Sequence, residues 1–172
     1  MSLLLEAWAA VDKAKHSGAS PLYVAAQMGH AEPVRMLLAA KAAVNKANNK
    51  GATPLYIAAE AGHAEPMRLL LAANAAVDQV MNDGSSPLYV AAFYGHLQPV
   101  RLLLQAKADP LLCFKGIAPL EKAHQQGHTA VAELLQAAER GDKSALQDEA
   151  EALALRLAST AIAAAAAPAG EA

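Results

Sequence analysis

Cysteine, aromatic residues and net charge are all scarce in this chain of 172 residues. Its single cysteine, Cys113, excludes a disulfide within the chain and favours a reducing intracellular compartment, such as the cytoplasm. The formal charge of -2 lacks the basic excess that binding to nucleic acid or to an acidic membrane surface requires. We therefore expect neither nucleic acid nor a membrane surface as the partner.

Long apolar runs are also missing. No stretch approaches the roughly 20 residues that a membrane-spanning helix needs, and the opening MSLLLEAWAA lacks the basic region of a secretory signal. Hydrophobic residues make up 55% of the chain, but many of them are alanine, a small residue that favours helices. The composition predicts short, closely packed helices and no direct membrane insertion.

One stretch of sequence recurs along the chain. SPLYVAAQMGH at 20–30 returns as TPLYIAAEAGH at 53–63 and SPLYVAAFYGH at 86–96, and a weaker copy, APLEKAHQQGH, lies at 118–128. The period is 33 residues between the first three copies and 32 before the fourth. A fixed period of this length predicts a solenoid of stacked repeats.

The second copy shows how one unit is built. Thr53 suits the cap of a helix and Pro54 suits its first turn, while Gly62 suits its end. We expect Pro66 to begin a second helix, which carries three consecutive leucines and is followed by a polar turn. Each unit is therefore predicted to hold a short helix, a second helix and a projecting turn.

This pattern resembles the ankyrin repeat, with its Thr-Pro-Leu-His-x-Ala-Ala opening, Gly-His turn, Leu-Leu-Leu helix and Ala-Asp-Val-Asn exit. The resemblance covers roughly residues 3–140. It implies an all-α ankyrin-repeat solenoid with β-turn or hairpin tips, about four repeats, a partial N-terminal repeat and a C-terminal capping helix. Tyr23, Tyr56 and Tyr89 stand where the family usually has histidine, and we expect these three rings to stack along the solenoid.

The resemblance also divides the chain. The array takes residues 1–141 and is followed by a capping helix at 142–162 and an alanine-rich tail at 163–172, which we expect to be disordered. Because LLLEAWAAVD at 3–12 aligns with LLLAANAAVD at 69–78, the array starts within a second helix. Its parts are a partial repeat at 1–13 and repeats at about 14–46, 47–79, 80–111 and 112–141.

The fourth repeat departs from the pattern. It is one residue short, and Ala118 replaces the capping serine or threonine. Loss of a cap costs about 1 kcal/mol, so we expect this repeat to be less stable. After it, Ser144 and Gln147 have the spacing of a capping box, which predicts the start of the capping helix.

The histidines are the strongest candidates for chemistry. Four of the six, His30, His63, His96 and His128, recur in the same Gly-His turn, which favours a structural role in binding backbone groups between repeats. His124 and His128 are four residues apart, but Gly127 interrupts the helix and no further ligand completes a metal site. We predict no catalytic residue, no metal and no cofactor, and hence that the chain is not an enzyme.

The positions that change between repeats predict the binding surface. By resemblance, a protein partner is bound by the turn tips and by the end of each first helix. Aromatic residues are enriched in binding hot spots, so an apolar centre on repeats three and four is expected; packing of its aromatic pair against a neighbouring repeat is the alternative. The predicted partner-binding residues are Phe93, Tyr94, Met81, Asn82, Asp83, Phe114, Lys115, Gln125, Gln126, Met28, Glu60, Asn49 and Lys50.

The sequence therefore favours a non-catalytic protein-interaction module or scaffold, a monomer or a subunit of a hetero-complex, with a partner of unknown identity. An alternative is the recognition segment or accessory subunit of a larger enzyme, channel or multi-protein complex. A third hypothesis makes the chain a substrate, because Asn45 follows LLAAKAAV, a context that resembles the one used by asparaginyl hydroxylases on ankyrin repeats.

Overall fold

The computed structural model describes residues 11–142 and Ser144, and this part of the chain forms eight helices and no strand. None of these helices has the length and apolar character needed to cross a bilayer. The helices come in pairs, one pair per repeat, as the all-α solenoid requires. They are α1 Pro21–Gln27, α2 Ala31–Ala39, α3 Pro54–Ala61, α4 Ala64–Ala72, α5 Pro87–Tyr94, α6 Leu97–Gln105, α7 Pro119–Gln125 and α8 Thr129–Glu139.

Repeats stack through like helices. The first helices α1, α3, α5 and α7 contact one another in order, and the second helices α2, α4, α6 and α8 do the same. Leu22, Leu55 and Leu88 occupy the same position in successive first helices, and each is fully buried. The recurring apolar residues therefore form one core that continues from repeat to repeat.

Side-chain caps start three of the four first helices. The hydroxyls of Ser20, Thr53 and Ser86 accept hydrogen bonds from the backbone N–H three residues later, at 3.1–3.2 Å. Ala118 has the same extended backbone, with φ -75° and ψ 155°, but supplies no side-chain acceptor. The predicted loss of this cap in repeat four is confirmed.

The second helices begin earlier than the sequence suggested. Helix α4 starts at Ala64, after His63 with φ -86° and ψ 88°, so the prediction that Pro66 begins it is wrong by two residues. Proline is tolerated at the third helical position because the N–H groups of the first turn have no acceptor within the helix. Pro66 therefore marks the first turn of the helix and not its first residue.

A shorter tip explains why repeat four lacks one residue. In repeat two, Asn48 N–H donates to Ala52 O at 2.9 Å, and three residues lie between them. In repeat four, Phe114 and Ile117 exchange two backbone hydrogen bonds of 3.0 Å around Lys115-Gly116. Both central residues have positive φ, 50° and 78°, as a two-residue hairpin of type I′ requires.

Both ends of the predicted array lie largely outside the described residues. Of the partial repeat at 1–13, only residues 11–13 are described. There the Asp12 carboxylate accepts from Ala43 N–H at 3.1 Å. Asn45 and Asp78 accept in the same way from the backbone N–H 31 residues later. The register predicted for Asp12 is therefore correct. The capping helix at 142–162, apart from Asp142 and Ser144, and the tail at 163–172 also fall outside the description.

Candidate protein-binding surface

A groove runs between the turn tips and the first helices of repeats one to three. Residues of three tips and of helices α1 and α3 line it. We call this surface the tip groove. The residues that line it are Lys15, Ser17, Ala19, Tyr23, Val24, Gln27, Asn48, Asn49, Lys50, Ala52, Tyr56, Ile57, Glu60, Met81 and Asp83.

Five of the predicted partner-binding residues meet in the tip groove: Asn49, Lys50, Glu60, Met81 and Asp83. Of these, Lys50 and Asp83 are exposed, Glu60 is half-buried, and Met81 is half-buried against the core. The other predicted residues lie on neighbouring tips or at the ends of the first helices. Met28, at the end of α1, is 59% exposed.

Two predicted residues also hold adjacent tips together. Asn49 donates its N–H to Ser17 O at 3.0 Å and its side-chain amide to His16 O at 2.9 Å. Asn82 repeats both contacts one tip later, on Lys50 O at 2.9 Å and Asn49 O at 3.1 Å. These two amides therefore have a structural role that the sequence prediction did not assign to them.

The expected stacking of the three tyrosine rings is wrong: among the residues described, these rings form no pair with one another. Each ring instead reaches the tip of the following repeat. Tyr23 lines the same groove as Asn48, and the Tyr56 hydroxyl lies 3.1 Å from Ser85 Oγ. Tyr89 packs its ring against Phe114, with 4.9 Å between the centroids.

Asp83 anchors the third tip to this tyrosine contact. Its Oδ1 accepts from Ser85 N–H at 2.9 Å and from Ser85 Oγ at 2.7 Å. Because the serine hydroxyl donates to Asp83, the Tyr56 hydroxyl is the donor toward Ser85 Oγ. The bonds from Ser85, with the nearby charge of Lys115, lower the pKa of the Asp83 carboxyl. Burial, with the Glu60 and Asp83 charges adding to it, raises the pKa of Tyr56 to about 12.

An aromatic patch, formed by Phe93, Tyr94 and Lys122, lies beyond the tip groove on repeats three and four. The Phe93 and Tyr94 rings meet edge to face, with 4.8 Å between centroids, and Lys122 Nζ lies 5.1 Å from the centre of the Phe93 ring. Tyr94 also stacks on His96, with 6.0 Å between the ring centroids, and is 48% exposed. The patch therefore combines local packing with an accessible aromatic surface.

The remaining predicted residues surround this patch. Phe114 is half-buried on Tyr89, and Lys115 Nζ lies 5.1 Å from the Phe114 ring centre. Gln125 accepts from Lys122 Nζ at 3.4 Å and donates to Glu121 Oε1 at 3.3 Å. Gln126 is exposed at the end of α7. Phe114 therefore attaches the fourth tip to the third repeat, whereas the earlier tips are attached by Asn49 and Asn82.

The repeated histidines connect neighbouring repeats. His96 Nε2 lies 3.0 Å from Glu60 O, and His128 Nε2 lies 3.0 Å from Phe93 O, which confirms the structural role predicted for these two residues. The rings press against the left-handed glycines of the preceding repeat, such as Gly95 beneath His128. Residues 11–142 and 144 contain no group of three His, Cys, Asp or Glu side chains that could hold a metal ion.

Sequence reasoning missed two apolar residues that line the groove. Val24 and Ile57 line it together with Gln27, which lies at the end of α1. Positions three residues apart share a face of a helix, so the positions three before Gln27 and Glu60 could have been included from their spacing. The predicted surface held the turn tips and the ends of the first helices, but not the positions one turn earlier on these helices.

Family models agree with this architecture. The model described as ankyrin repeats (3 copies) matches residues 1–81, and the model described as ankyrin repeat matches residues 83–113. No match was found among curated proteins. The two matched ranges cover well over half of the chain and include the first three helix pairs. The chain therefore belongs to the ankyrin-repeat family, whose members typically act as non-catalytic protein-interaction modules.

Proposed function

We propose that this chain is a non-catalytic interaction module that binds a protein partner through the tip groove and the aromatic patch. The observation that carries the proposal is the division between constant and variable positions. Leu22, Leu55 and Leu88 are identical and fully buried, whereas the residue near the end of the first helix changes from each repeat to the next. These residues are Gln27, Glu60, Phe93 and Gln125.

The turn tips also change in sequence from repeat to repeat. The residue that opens each tip changes from Lys15 to Asn48, Met81 and Phe114. The residue that opens the tip is therefore polar in repeats one and two and apolar in repeats three and four. A partner that follows the whole array would place polar groups on the first two repeats and apolar groups on the last two.

Tyr94 is the residue most suited to anchor a partner. Nearly half of its side chain is exposed, and its ring is held between Phe93 and His96. A ring already fixed by its neighbours loses little conformational entropy on binding, and tyrosine is enriched among residues that dominate binding energy. The patch is therefore the expected energetic centre of the interface.

A pull-down quantified by mass spectrometry tests this function. The intact chain, the Phe93→Ala, Tyr94→Ala double variant and a Met36→Ala control are used as baits. Met36 lies on the second helix α2, outside the tip groove, and is 65% exposed, so the control removes a large exposed apolar side chain elsewhere. We expect the double variant to lose the partner by about tenfold or more, as removal of a hot spot would, and the control to retain it.

The result that contradicts the proposal is equal recovery of every captured protein by all three baits. Thermal melting followed by circular dichroism separates binding from folding. A large loss of stability in the double variant would instead support the alternative in which Phe93 and Tyr94 serve packing between repeats.

A further inference from the structure

The series of hydrogen bonds that joins the turn tips stops after the third tip. Asn49 donates its N–H and its side-chain amide to two consecutive carbonyls of the first tip, Ser17 O and His16 O, at 3.0 and 2.9 Å. Asn82 makes the equivalent pair of bonds one tip later, to Lys50 O and Asn49 O. One asparagine therefore binds two adjacent carbonyls of the tip that precedes it.

The fourth tip does not continue this series. Between the residue that opens the tip and the tip glycine, the third tip has Asn82 and Asp83, whereas the fourth has Lys115 alone. A lysine side chain carries no amide, and the shorter tip forms its own two-residue hairpin. As a result, Asn82 O and Asp83 O accept no hydrogen bond from any described residue. They are the equivalents of the two carbonyls that an asparagine binds on each earlier tip.

Open space lies beside the third tip, at the position that the next asparagine would occupy. A methyl group added to Gly18 would lie 2.4 Å from Oδ1 of Asn49, and one added to Gly51 would lie 2.5 Å from Oδ1 of Asn82. At Gly84 the same methyl group would meet no described atom within 4 Å. The third tip therefore keeps both the two acceptors and the room for an asparagine side chain.

Two adjacent carbonyls suit a residue that carries two donors. A carbonyl oxygen only accepts hydrogen bonds, so a partner must supply N–H or O–H groups. The bonds of Asn49 and Asn82 show that the backbone N–H and the side-chain amide of one asparagine span two such carbonyls. Aspartate has the same shape, but its carboxylate only accepts, so it would leave Asn82 O without a donor. The pair of carbonyls is therefore suited to asparagine and not to aspartate.

We propose that the third tip binds an asparagine in a turn of the protein partner, which donates its backbone N–H to Asp83 O and its side-chain amide to Asn82 O. The partner's turn lies beside Gly84 and extends the series of bonds that the fourth tip interrupts. This inference rests on the proposed function, since it names a residue through which the interaction module recognises its partner.

Selection from a displayed library of short cyclic peptides tests the inference. The peptides are closed by a thioether, because a disulfide could exchange with the exposed Cys113. The immobilised intact chain is the target, and enriched peptides are synthesised and titrated by fluorescence anisotropy. We expect these peptides to share an asparagine. Replacing it with aspartate should weaken binding by about tenfold or more, because an acceptor then faces Asn82 O.

Gly84→Ala fills the space beside the third tip, and Gly116→Ala is its matched control. Both glycines have a positive φ, 93° and 78°, and at neither would the added methyl group meet a described atom. The two variants therefore carry similar backbone strain, and circular dichroism checks that both fold. We expect the peptides to bind Gly84→Ala about tenfold or more weakly and Gly116→Ala as tightly as the intact chain. The aspartate peptide should lose little further affinity on Gly84→Ala, because both changes remove the same contact.

The possible failures are distinguishable. Enriched peptides that share no asparagine, that tolerate aspartate in its place, or that bind a folded Gly84→Ala as tightly as Gly116→Ala overturn the inference. If Gly84→Ala does not fold, the aspartate peptide decides the outcome on the intact chain. If peptides that overturn the inference still lose affinity for the Phe93→Ala, Tyr94→Ala variant, the proposed function stands. No enrichment over background, or peptides insensitive to every variant, overturns both.

Discussion

Replacing Gly95 with alanine should destabilise the array far more than the same replacement at Gly127. The two glycines occupy equivalent positions in repeats three and four, and both have a φ of 75°. They differ in what a methyl group would meet. At Gly95 it would lie 2.5 Å from Nδ1 of His128, whereas at Gly127 no described atom comes within 4 Å. The pair therefore separates backbone strain from packing between repeats.

The magnitude follows from these two terms. Alanine in the left-handed region costs about 1–2 kcal/mol at either site. At Gly95 the His128 ring must also move, which threatens its 3.0 Å contact with Phe93 O. Overpacking of this kind costs roughly 1–3 kcal/mol. We expect Gly95→Ala to lower the free energy of unfolding by about 1–3 kcal/mol more than Gly127→Ala, the difference being the overpacking term.

Urea titration followed by circular dichroism at 222 nm measures this difference. A double variant, Gly95→Ala with His128→Ala, removes the ring that the new methyl group would strike. Its loss of stability should therefore be smaller than the sum of the two single losses. Equal losses at Gly95 and Gly127, or additive losses in the double variant, would refute the packing argument.

Two further predictions concern the caps and the buried tyrosines. Ala118→Ser should stabilise the chain by about 1 kcal/mol, because the backbone at Ala118 already matches the capped positions. Ser86→Ala should destabilise it by a similar amount. Thermal melting measures both changes, and an unchanged melting temperature in Ala118→Ser would contradict the missing cap as a source of instability. The Tyr56 pKa is raised to about 12 from an ordinary 10.0, so its contribution to stability is complete below pH 10 and lost as the pH rises through 12. Between pH 10 and 12 the free energy of unfolding should therefore fall less steeply with pH in Tyr56→Phe than in the intact chain. Identical slopes in the two proteins would contradict the raised pKa of Tyr56.

The fold was predictable because its signals are local. A capping hydroxyl, the following proline and the glycine at the helix end lie within about ten residues, and the structure uses Thr53, Pro54 and Gly62 in these roles. The start of the second helix was less predictable. Proline is compatible with several positions of the first turn, so Pro66 could not fix the first residue of α4.

The surface was harder to predict because its contacts join residues one repeat apart. Asn49 and Asn82 lie on the turn tips, whose sequence changes between repeats, and this suggested partner binding. Their side-chain amides instead donate to backbone carbonyls of the preceding tip. The tyrosines were expected to meet one another, although each reaches a tip residue of the next repeat. Spacing along the chain identifies equivalent positions, but it does not show which way a long side chain turns.

The divergent fourth repeat changes the surface as well as the stability of the array. Lys122 stands where the earlier repeats have Val24, Ile57 and Val90, and its ammonium group lies over the Phe93 ring. The tip, shorter by one residue, places Phe114 against Tyr89. Two departures from the repeat pattern therefore add contacts to the surface: Lys122 joins the aromatic patch, and the shorter tip brings Phe114 onto Tyr89. Restoring the consensus at this repeat would be expected to raise stability while removing contacts on which the proposed binding surface depends.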